Sequence, residues 1–459
     1  MKNYFILGLI ILFFLVTRLY KIDEVPASVY WDEASIGYNA YAVATDLKDE
    51  WGEFLPLHFR AFGEFKLPVY IYSVAILTKI FGLGPLAVRL PAVFYGLGII
   101  ILTYLLVIKI TKDRKIGLTS AFILSVSPWL FIFTRAGFEA VAGLFFFLVF
   151  IYFLTLYLER RIFIVPASLA AILSFYSYNS FRILTPVFIL VFVVYLILNK
   201  KIKFDKKIYI ETAAIALFVL SLIPTVKLFY LDAGAVRFTT VGISSPKLVI
   251  TNYFSHFDFK FLFLDGDVNN RHQQPGWGEL YLIELPLFLL GVWKILKAKN
   301  KLSWLFLLFL ILGPIPASIG KEAPHALRAI LLAPTFAIIS TIGLWGLADI
   351  FKKQGGFIIL AVLLIYFFSF EQYGQDFLLK YNTPTSSDWQ FEYKEIFTNY
   401  KVSNEKTVIT DKYAQPYIFA LFYLKYPPQE FRKTVKYNPP DKWGFSTVAS
   451  FGKFEFKKL

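Results

Sequence analysis

The sequence predicts an all-α polytopic membrane protein, and three observations carry that prediction. Hydrophobic residues make up 57% of the 459-residue chain and charged residues only 17%, with a mean hydropathy of +0.59, a combination that soluble domains rarely reach. Apolar runs of bilayer-spanning length recur along the chain, each bounded by Lys/Arg or Pro/Gly clusters. Aromatic residues reach 19%, with Tyr and Trp often near run ends, as interfacial belts require. A groove for lipid or sugar would draw the same enrichment.

Taken in order, the runs place spans at 4–20, 88–108, 117–134, 138–158, 162–178, 183–198, 208–230, 281–297, 302–319, 326–347 and 356–371, about eleven in all. The first follows a single Lys2 and has the look of a signal peptide. No small-residue cleavage site follows it and Thr17-Arg18 breaks the pattern, so the expectation is a retained first helix. The run 68–83 is short, carries Lys79 and ends at Gly82; it is read as an amphipathic segment in the interface. With that choice the basic loops 109–115, 160–161, 200–207, 297–301 and 352–353 all fall on one side. Positive charge marks the cytosolic side, which puts the amino terminus inside and the tail outside, in a multi-pass protein of the plasma membrane.

The outer loops are the informative set. A membrane domain, 1–371, carries a first outer loop, 21–87, and a second, 231–280. The first holds Val-Tyr-Trp-Asp-Glu-Ala-Ser-Ile-Gly-Tyr, Val29 to Tyr38, after which Ala34 to Leu47 reads as a surface helix. The second contains Asp265-Gly-Asp-Val-Asn-Asn-Arg-His272, whose composition predicts tight turns. The tail, 372–459, has a strand signal at 406–410 and a short helical one at 416–425, and is expected to form a small extracytosolic α/β domain. No internal repeat is present, and no paired broken helices of the kind inverted-repeat transporters show.

Composition also excludes chemistries. The formal charge of +15 lies largely in loops that set topology, so nucleic acid is not an expected partner. With no cysteines, disulfides, thiolate metal sites and cysteine nucleophiles are ruled out. The four histidines, His58, His256, His272 and His325, are scattered without an i, i+4 pair, so no metal ligand is assigned. Carboxylates alone could still hold a divalent ion through oxygen. No P-loop and no Gly-x-Ser-x-Gly elbow occurs.

Asp32 and Glu33 are the first candidates, because ionisable groups held close to lipid usually have work to do. Asp32 reads either as a plain helix N-cap or as an ionised carboxylate poised to take a proton from an acceptor. Lys66, in Gly63-Glu-Phe-Lys-Leu-Pro68, either snorkels to the headgroups or is held as a point charge for a phosphate. Arg135 and Glu139, Arg182, and His325 with Arg328 sit in three tight outer connections. Arginines so near outer helix ends ask for an anionic partner; an ion pair between Arg135 and Glu139 is the plainer alternative.

Together these residues resemble the GT-C glycosyltransferases that use lipid-linked sugars, in particular the bacterial relatives of protein O-mannosyltransferases and the lipid A aminoarabinose transferases. The resemblance runs through Trp31-Asp-Glu-Ala-Ser-Ile-Gly-Tyr-Asn-Ala-Tyr-Ala, Trp51-Gly-Glu-Phe-Leu-Pro56, Gly63-Glu-Phe-Lys-Leu-Pro-Val-Tyr-Ile-Tyr72 and Phe81-Gly-Leu-Gly-Pro-Leu-Ala-Val-Arg-Leu-Pro91. Ser127-Pro-Trp129 with Arg135, and His325 with Arg328 and Pro334, match more loosely. The resemblance implies a helical membrane core with surface helices in the first outer loop. It implies a polyprenyl-phosphate sugar as donor and transfer at the outer face to a protein, lipid or glycan. Asp32, with Glu33 beside it, would stand at the reacting centre, and Lys66 near the donor phosphate. Arg135, Arg182, His325 and Arg328 would assist with that phosphate, supported by Tyr38, Glu64 and Glu139. Many relatives read Lys-Pro where Leu67 here separates Lys66 from Pro68, which leaves the placement of the lysine to the structure. Two other classes share parts of the pattern: a transporter or flippase for a lipid-linked saccharide, and a polysaccharide polymerase or ligase using a lipid-diphosphate donor. Charge clustered at one face favours surface chemistry over a transport path.

Overall fold

In the computed structural model, residues 2–201, 208–230, 242, 245–400, 405–411, 415–440 and 445–457 are described. The basic loop 200–207 and the start of the second outer loop, 231–244, therefore fall largely outside the described residues. The chain opens with α1 (Lys2–Leu19), α2 (Trp31–Asp46), the hairpin strands β1 (Phe59–Arg60) and β2 (Phe65–Lys66), and α3 (Pro68–Phe81). It continues with α4 (Pro85–Thr111), α5 (Arg114–Ser125), α6 (Pro128–Phe133) and α7 (Glu139–Tyr157).

Among the described residues six helices are long and apolar enough to cross a membrane: Pro85–Thr111, Glu139–Tyr157, Asn179–Leu198, Ile208–Tyr230, Leu332–Ile350 and Gly355–Lys380. The other predicted spans are shorter or broken. The run 117–134 is split at Ser127-Pro128 into α5 and α6, because proline offers no N–H to continue the ladder and is favoured at a first helical position. The run 302–319 breaks at Gly313-Pro314 for the same reason, giving Trp304–Leu312 and Ile315–Ser318. The run predicted from 326 becomes helical only at Leu332, and residues 325–331 form turns instead. The segment 68–83 is a 14-residue helix with Pro68 at its start and Gly82, at φ 75°, closing it.

The surface helix of the first outer loop begins earlier than predicted. It starts at Trp31, so Asp32 lies in its first turn and is not its cap. The backbone N–H of Trp31 is satisfied instead by the Gln390 side chain, 2.9 Å away.

Two apolar cores meet at this helix. One fills the helical bundle around Phe14, Trp129, Leu130, Phe131, Phe147 and Phe309. The other joins α2 and α3 to the tail, through Ile36, Tyr38, Val74, Ile418, Phe419, Phe451 and Phe456. The tail holds β3 (Thr407–Thr410), β4 (Lys436–Tyr437), β5 (Val448–Phe451) and β6 (Phe454–Lys457) in the order β3-β6-β5-β4, with β3 parallel to β6 and the other pairs antiparallel. Its helix Pro416–Tyr423 is buried along nearly its whole length. The α/β tail is thus no loose appendage but packs directly on α2.

Gly37 shows how close that cover lies. A Cβ there would sit 2.5 Å from the Phe422 ring and 2.8 Å from a Val88 methyl. Gly37→Ala overpacks this seam and should cost about 1–3 kcal/mol, seen as a lowered unfolding temperature in detergent. An unchanged temperature would show that the tail yields freely. The same seam holds Glu50, buried against Tyr417 Oη at 3.1 Å and Asn39 Nδ2 at 3.2 Å. Burial, helped by the charge on Asp49, pushes its carboxyl up to about 8 from 4.5. The folded chain holds a proton here that the unfolded chain releases, so this contribution is full below pH 4.5 and lost as pH rises through about 8. Thermal stability should fall across that window in the wild type, and Glu50→Gln should flatten the fall. A decline unchanged in the variant would assign it to another group.

Candidate active site

Lys66 reaches the site because a hairpin precedes it. Strands β1 and β2 pair antiparallel, with Phe59 opposite Lys66 and Arg60 opposite Phe65. Gly63, at φ 75°, supplies the left-handed residue the turn needs. Leu67 is extended, at φ −93° and ψ 149°, and caps α3, as a residue before proline is obliged to be. It is buried, at 2% exposure. The extra residue between Lys66 and Pro68 thus serves as a packed hinge, and the lysine ammonium turns toward α2. Its Nζ lies 2.5 Å from Asp32 Oδ1 and 3.5 Å from Glu64 Oε1.

Around this pair a cavity of about 170 Å³ is lined by Tyr30, Asp32, Glu64, Lys66, Phe138, Glu139, Tyr178, Asn269, Arg271, His272, His325 and Arg328, among others. Six segments converge: the start of α2, the hairpin, the start of α7, the turn before Asn179–Leu198, and two loops near 270 and 325. Burial alone would lower the Lys66 pKa, but the carboxylates of Asp32 and Glu139 outweigh it and hold the group above the usual lysine value. Lys66 is therefore a buried cation held by carboxylates. Asp32 keeps about a quarter of its side chain exposed to the cavity. Arg328 lines the same cavity, its Nη2 3.6 Å from Glu322 Oε2. Its Nη1 is buried against Gly320 with no hydrogen-bond partner among the described residues.

The structure brings together Asp32, Glu64, Lys66, Glu139, His325 and Arg328 from the sequence candidates. It puts four others elsewhere. Glu33 is fully buried and paired with Arg89, whose Nε lies 3.0 Å from Glu33 Oε1; the Gly137 N–H donates to the same oxygen at 2.7 Å. Successive helix residues point about 100° apart, so Asp32 faces the cavity while Glu33 faces the core. Arg135 is not a ligand of the cavity and does not pair with Glu139. Its guanidinium donates to the carbonyls of Thr17, Arg18, Tyr20, Lys21 and Val25, which closes the open C-terminal end of α1. Arg182 meets His58 Nε2 at 3.0 Å and the Phe175 ring. Tyr38 donates from Oη to the Tyr426 carbonyl at 3.1 Å, tying α2 to the tail.

Among the cavity residues with no assigned role in the sequence, Asn269, Arg271 and His272 come from one loop. Arg271 lies over the rings of Tyr30 and Trp31, at 5.0 and 5.2 Å. The signal was present, since Arg271 is another arginine in an outer loop, but the turn-rich composition around it masked it. Histidines that are scattered in sequence also converge. His272 and His325 lie 4.7 Å apart between ring centroids, tilted by 32°, and His256 Nε2 accepts from the His325 backbone N–H at 3.1 Å.

The chain resembles known proteins in part of its sequence and in its fold. Residues 66–223 match the dolichyl-phosphate-mannose-protein mannosyltransferase family. No curated protein sequence matches the chain. Among solved structures, ArnT from Cupriavidus metallidurans in the apo state aligns with a TM-score of 0.55 at 15% identity, covering 92% of this chain and 84% of that one. ArnT bound to undecaprenyl phosphate aligns at 0.54, with 15% identity, 92% of this chain and 85% of that one. The archaeal oligosaccharyltransferase AglB from Archaeoglobus fulgidus, in complex with an inhibitory peptide and a dolichol-phosphate, aligns at 0.56 with 13% identity. That match covers 92% of this chain but 64% of AglB. Over nearly its whole length, then, the chain has the fold of ArnT and AglB, and residues 66–223 resemble the dolichyl-phosphate-mannose-protein mannosyltransferase family.

Proposed function

We propose that this protein is a membrane glycosyltransferase that moves a monosaccharide from a polyprenyl-phosphate donor to an acceptor at the extracytosolic face. The observation that carries the reading is the Lys66–Asp32 contact inside a cavity whose other cations are Arg271 and Arg328. A lipid phosphate is a leaving group that needs charge stabilisation more than a proton, and fixed cations in a site of low dielectric supply it. Arg328, at the cavity wall, carries a planar guanidinium suited to phosphate oxygens. The family matched by residues 66–223 and the undecaprenyl phosphate and dolichol-phosphate named with the structural neighbours support this class of donor.

In the resting state Asp32 is neutralised by Lys66. A donor phosphate entering the cavity competes for the ammonium and frees the carboxylate. Asp32 then accepts the proton of the acceptor hydroxyl or amine as that atom attacks the anomeric carbon and the bond to the phosphate oxygen breaks. One displacement inverts the anomeric centre. Glu139 and Glu64 hold Lys66 in place between such events.

Lys66→Ala should weaken binding of a polyprenyl phosphate by roughly tenfold to a hundredfold, the size of one charge-assisted hydrogen bond. Fluorescence or filter binding with the purified full chain measures this, and unchanged affinity would remove Lys66 from the donor site.

A further inference from the structure

Arg182 sits outside the cavity and carries a charge that no described residue balances. It lies in the first turn of the helix Asn179–Leu198, whose first residue lines the cavity, so it stands at the cavity's end of that span. The side chain is half-buried. Its Nη2 donates to His58 Nε2 at 3.0 Å, and its guanidinium carbon lies 5.5 Å from the centre of the Phe175 ring. Among the described residues no carboxylate acts on it, and its Nε is buried without a hydrogen-bond partner. A charge withdrawn from water ordinarily takes an opposite partner.

His58 adds a second donor. Arginine can only donate, so His58 Nε2 accepts and the ring proton belongs on Nδ1. Burial, with the charge on Arg182 beside it, pushes the His58 pKa down to about 4. The ring is therefore neutral near pH 7, and its Nδ1–H is available to a further acceptor.

The surface around the pair is apolar. Phe54, Leu55 and Leu57, just before His58, are exposed, as are Ile76, Ile80 and Phe81 on α3. Tyr72 Oη donates to the Pro56 carbonyl at 2.9 Å, which ties the loop to the start of α3. Apolar surface at the end of a membrane span faces lipid, so an anion that reaches Arg182 arrives attached to one.

We infer that Arg182 and His58 bind the phosphate of an anionic phospholipid in the leaflet on the cavity's side of the membrane, with Phe54, Leu55 and Leu57 set among its acyl chains. The planar guanidinium matches phosphate oxygens, and the charge favours an anionic lipid over a zwitterionic one. His58 precedes Phe59, which pairs with Lys66 across the hairpin. A lipid held here steadies the base of the hairpin that carries Lys66. The binding itself does not depend on what the cavity does.

The test titrates the purified full chain, in a neutral detergent, with short-chain phosphatidylglycerol, phosphatidylcholine, a polyprenyl phosphate and inorganic phosphate, and counts bound molecules by native mass spectrometry. The wild type should bind phosphatidylglycerol on the order of tenfold more tightly than phosphatidylcholine, the size of one charge-assisted hydrogen bond. Arg182→Gln and His58→Leu should each remove most of that preference, and Lys66→Ala should keep it. Either of the first two variants decides the matter if the other fails to fold. The inference is overturned if the wild type shows no preference, if the folded variants retain it, or if Lys66→Ala is the variant that loses it, which would put the phosphate in the cavity. It is equally overturned if inorganic phosphate binds as tightly as the lipid, which would make this a site for a soluble anion. Loss of polyprenyl phosphate but not of phosphatidylglycerol in Arg182→Gln would also overturn it, by assigning Arg182 to the donor.

Discussion

Glu33→Ala is expected to cripple folding, at a cost of about 3–5 kcal/mol, the range for breaking a buried ion pair by removing one partner. Both Glu33 and Arg89 are at 0% exposure. The substitution strands the guanidinium and also leaves the Gly137 N–H without its acceptor. Arg89 keeps its bonds to the carbonyls of Ile22, Pro26 and Ser28, but those cannot neutralise its charge. The pair joins α2, α4, the turn before α7 and the segment leading into α2, so its loss loosens the frame that aims Asp32 into the cavity. Yield of monodisperse protein and unfolding temperature measure the effect. A Glu33→Ala protein as stable as the wild type would contradict the structural role given to this residue.

Asp32→Asn, one residue away, should do the opposite. The side chain keeps its shape and partial exposure, and Asn still offers Lys66 an oxygen, so folding and donor binding are expected to stay near wild type. What disappears is the base. Loss of general-base catalysis lowers turnover by about 10²- to 10⁴-fold, and here the carboxylate has no substitute placed as well. Glu139 lines the same cavity, so Asp32→Asn/Glu139→Gln against each single variant separates the two carboxylates. If Asp32→Asn retained full turnover while Glu139→Gln lost it, the base would be Glu139.

The contrast between these neighbours explains what could be read from sequence. Apolar runs gave the helices, because burial in lipid writes itself into composition. That Asp32 and Lys66 come together in one cavity accords with the order and spacing that singled them out in the sequence. The division of labour between Asp32 and Glu33 was not, since it depends on which face of α2 meets Arg89, 56 positions further on. Arg135 was misread for a related reason: an arginine at an outer helix end was taken to seek a phosphate, whereas its two terminal nitrogens donate to five backbone carbonyls at and just after the end of α1. The proline breaks at Pro128 and Pro314 were visible as residues but were absorbed into longer apolar runs. Arg271 and His272 lie in a loop without periodicity, where no local rule says which side chains turn inward. The docking of the tail on α2 rests on Gly37, Tyr38 and Glu50, residues whose partners come from more than 350 positions away and leave no local trace.

The central claim is that this cavity transfers a sugar from a lipid phosphate with Asp32 as its base. It is tested most directly by presenting a panel of radiolabelled polyprenyl-phosphate sugars to purified wild type and Asp32→Asn and following release or transfer of the label. The account predicts turnover of at least one donor by the wild type and its loss in a folded Asp32→Asn protein that still binds the polyprenyl phosphate. A wild type that binds the lipid phosphate but turns over no member of the panel would contradict it, and would point to transport or to a diphosphate-linked donor.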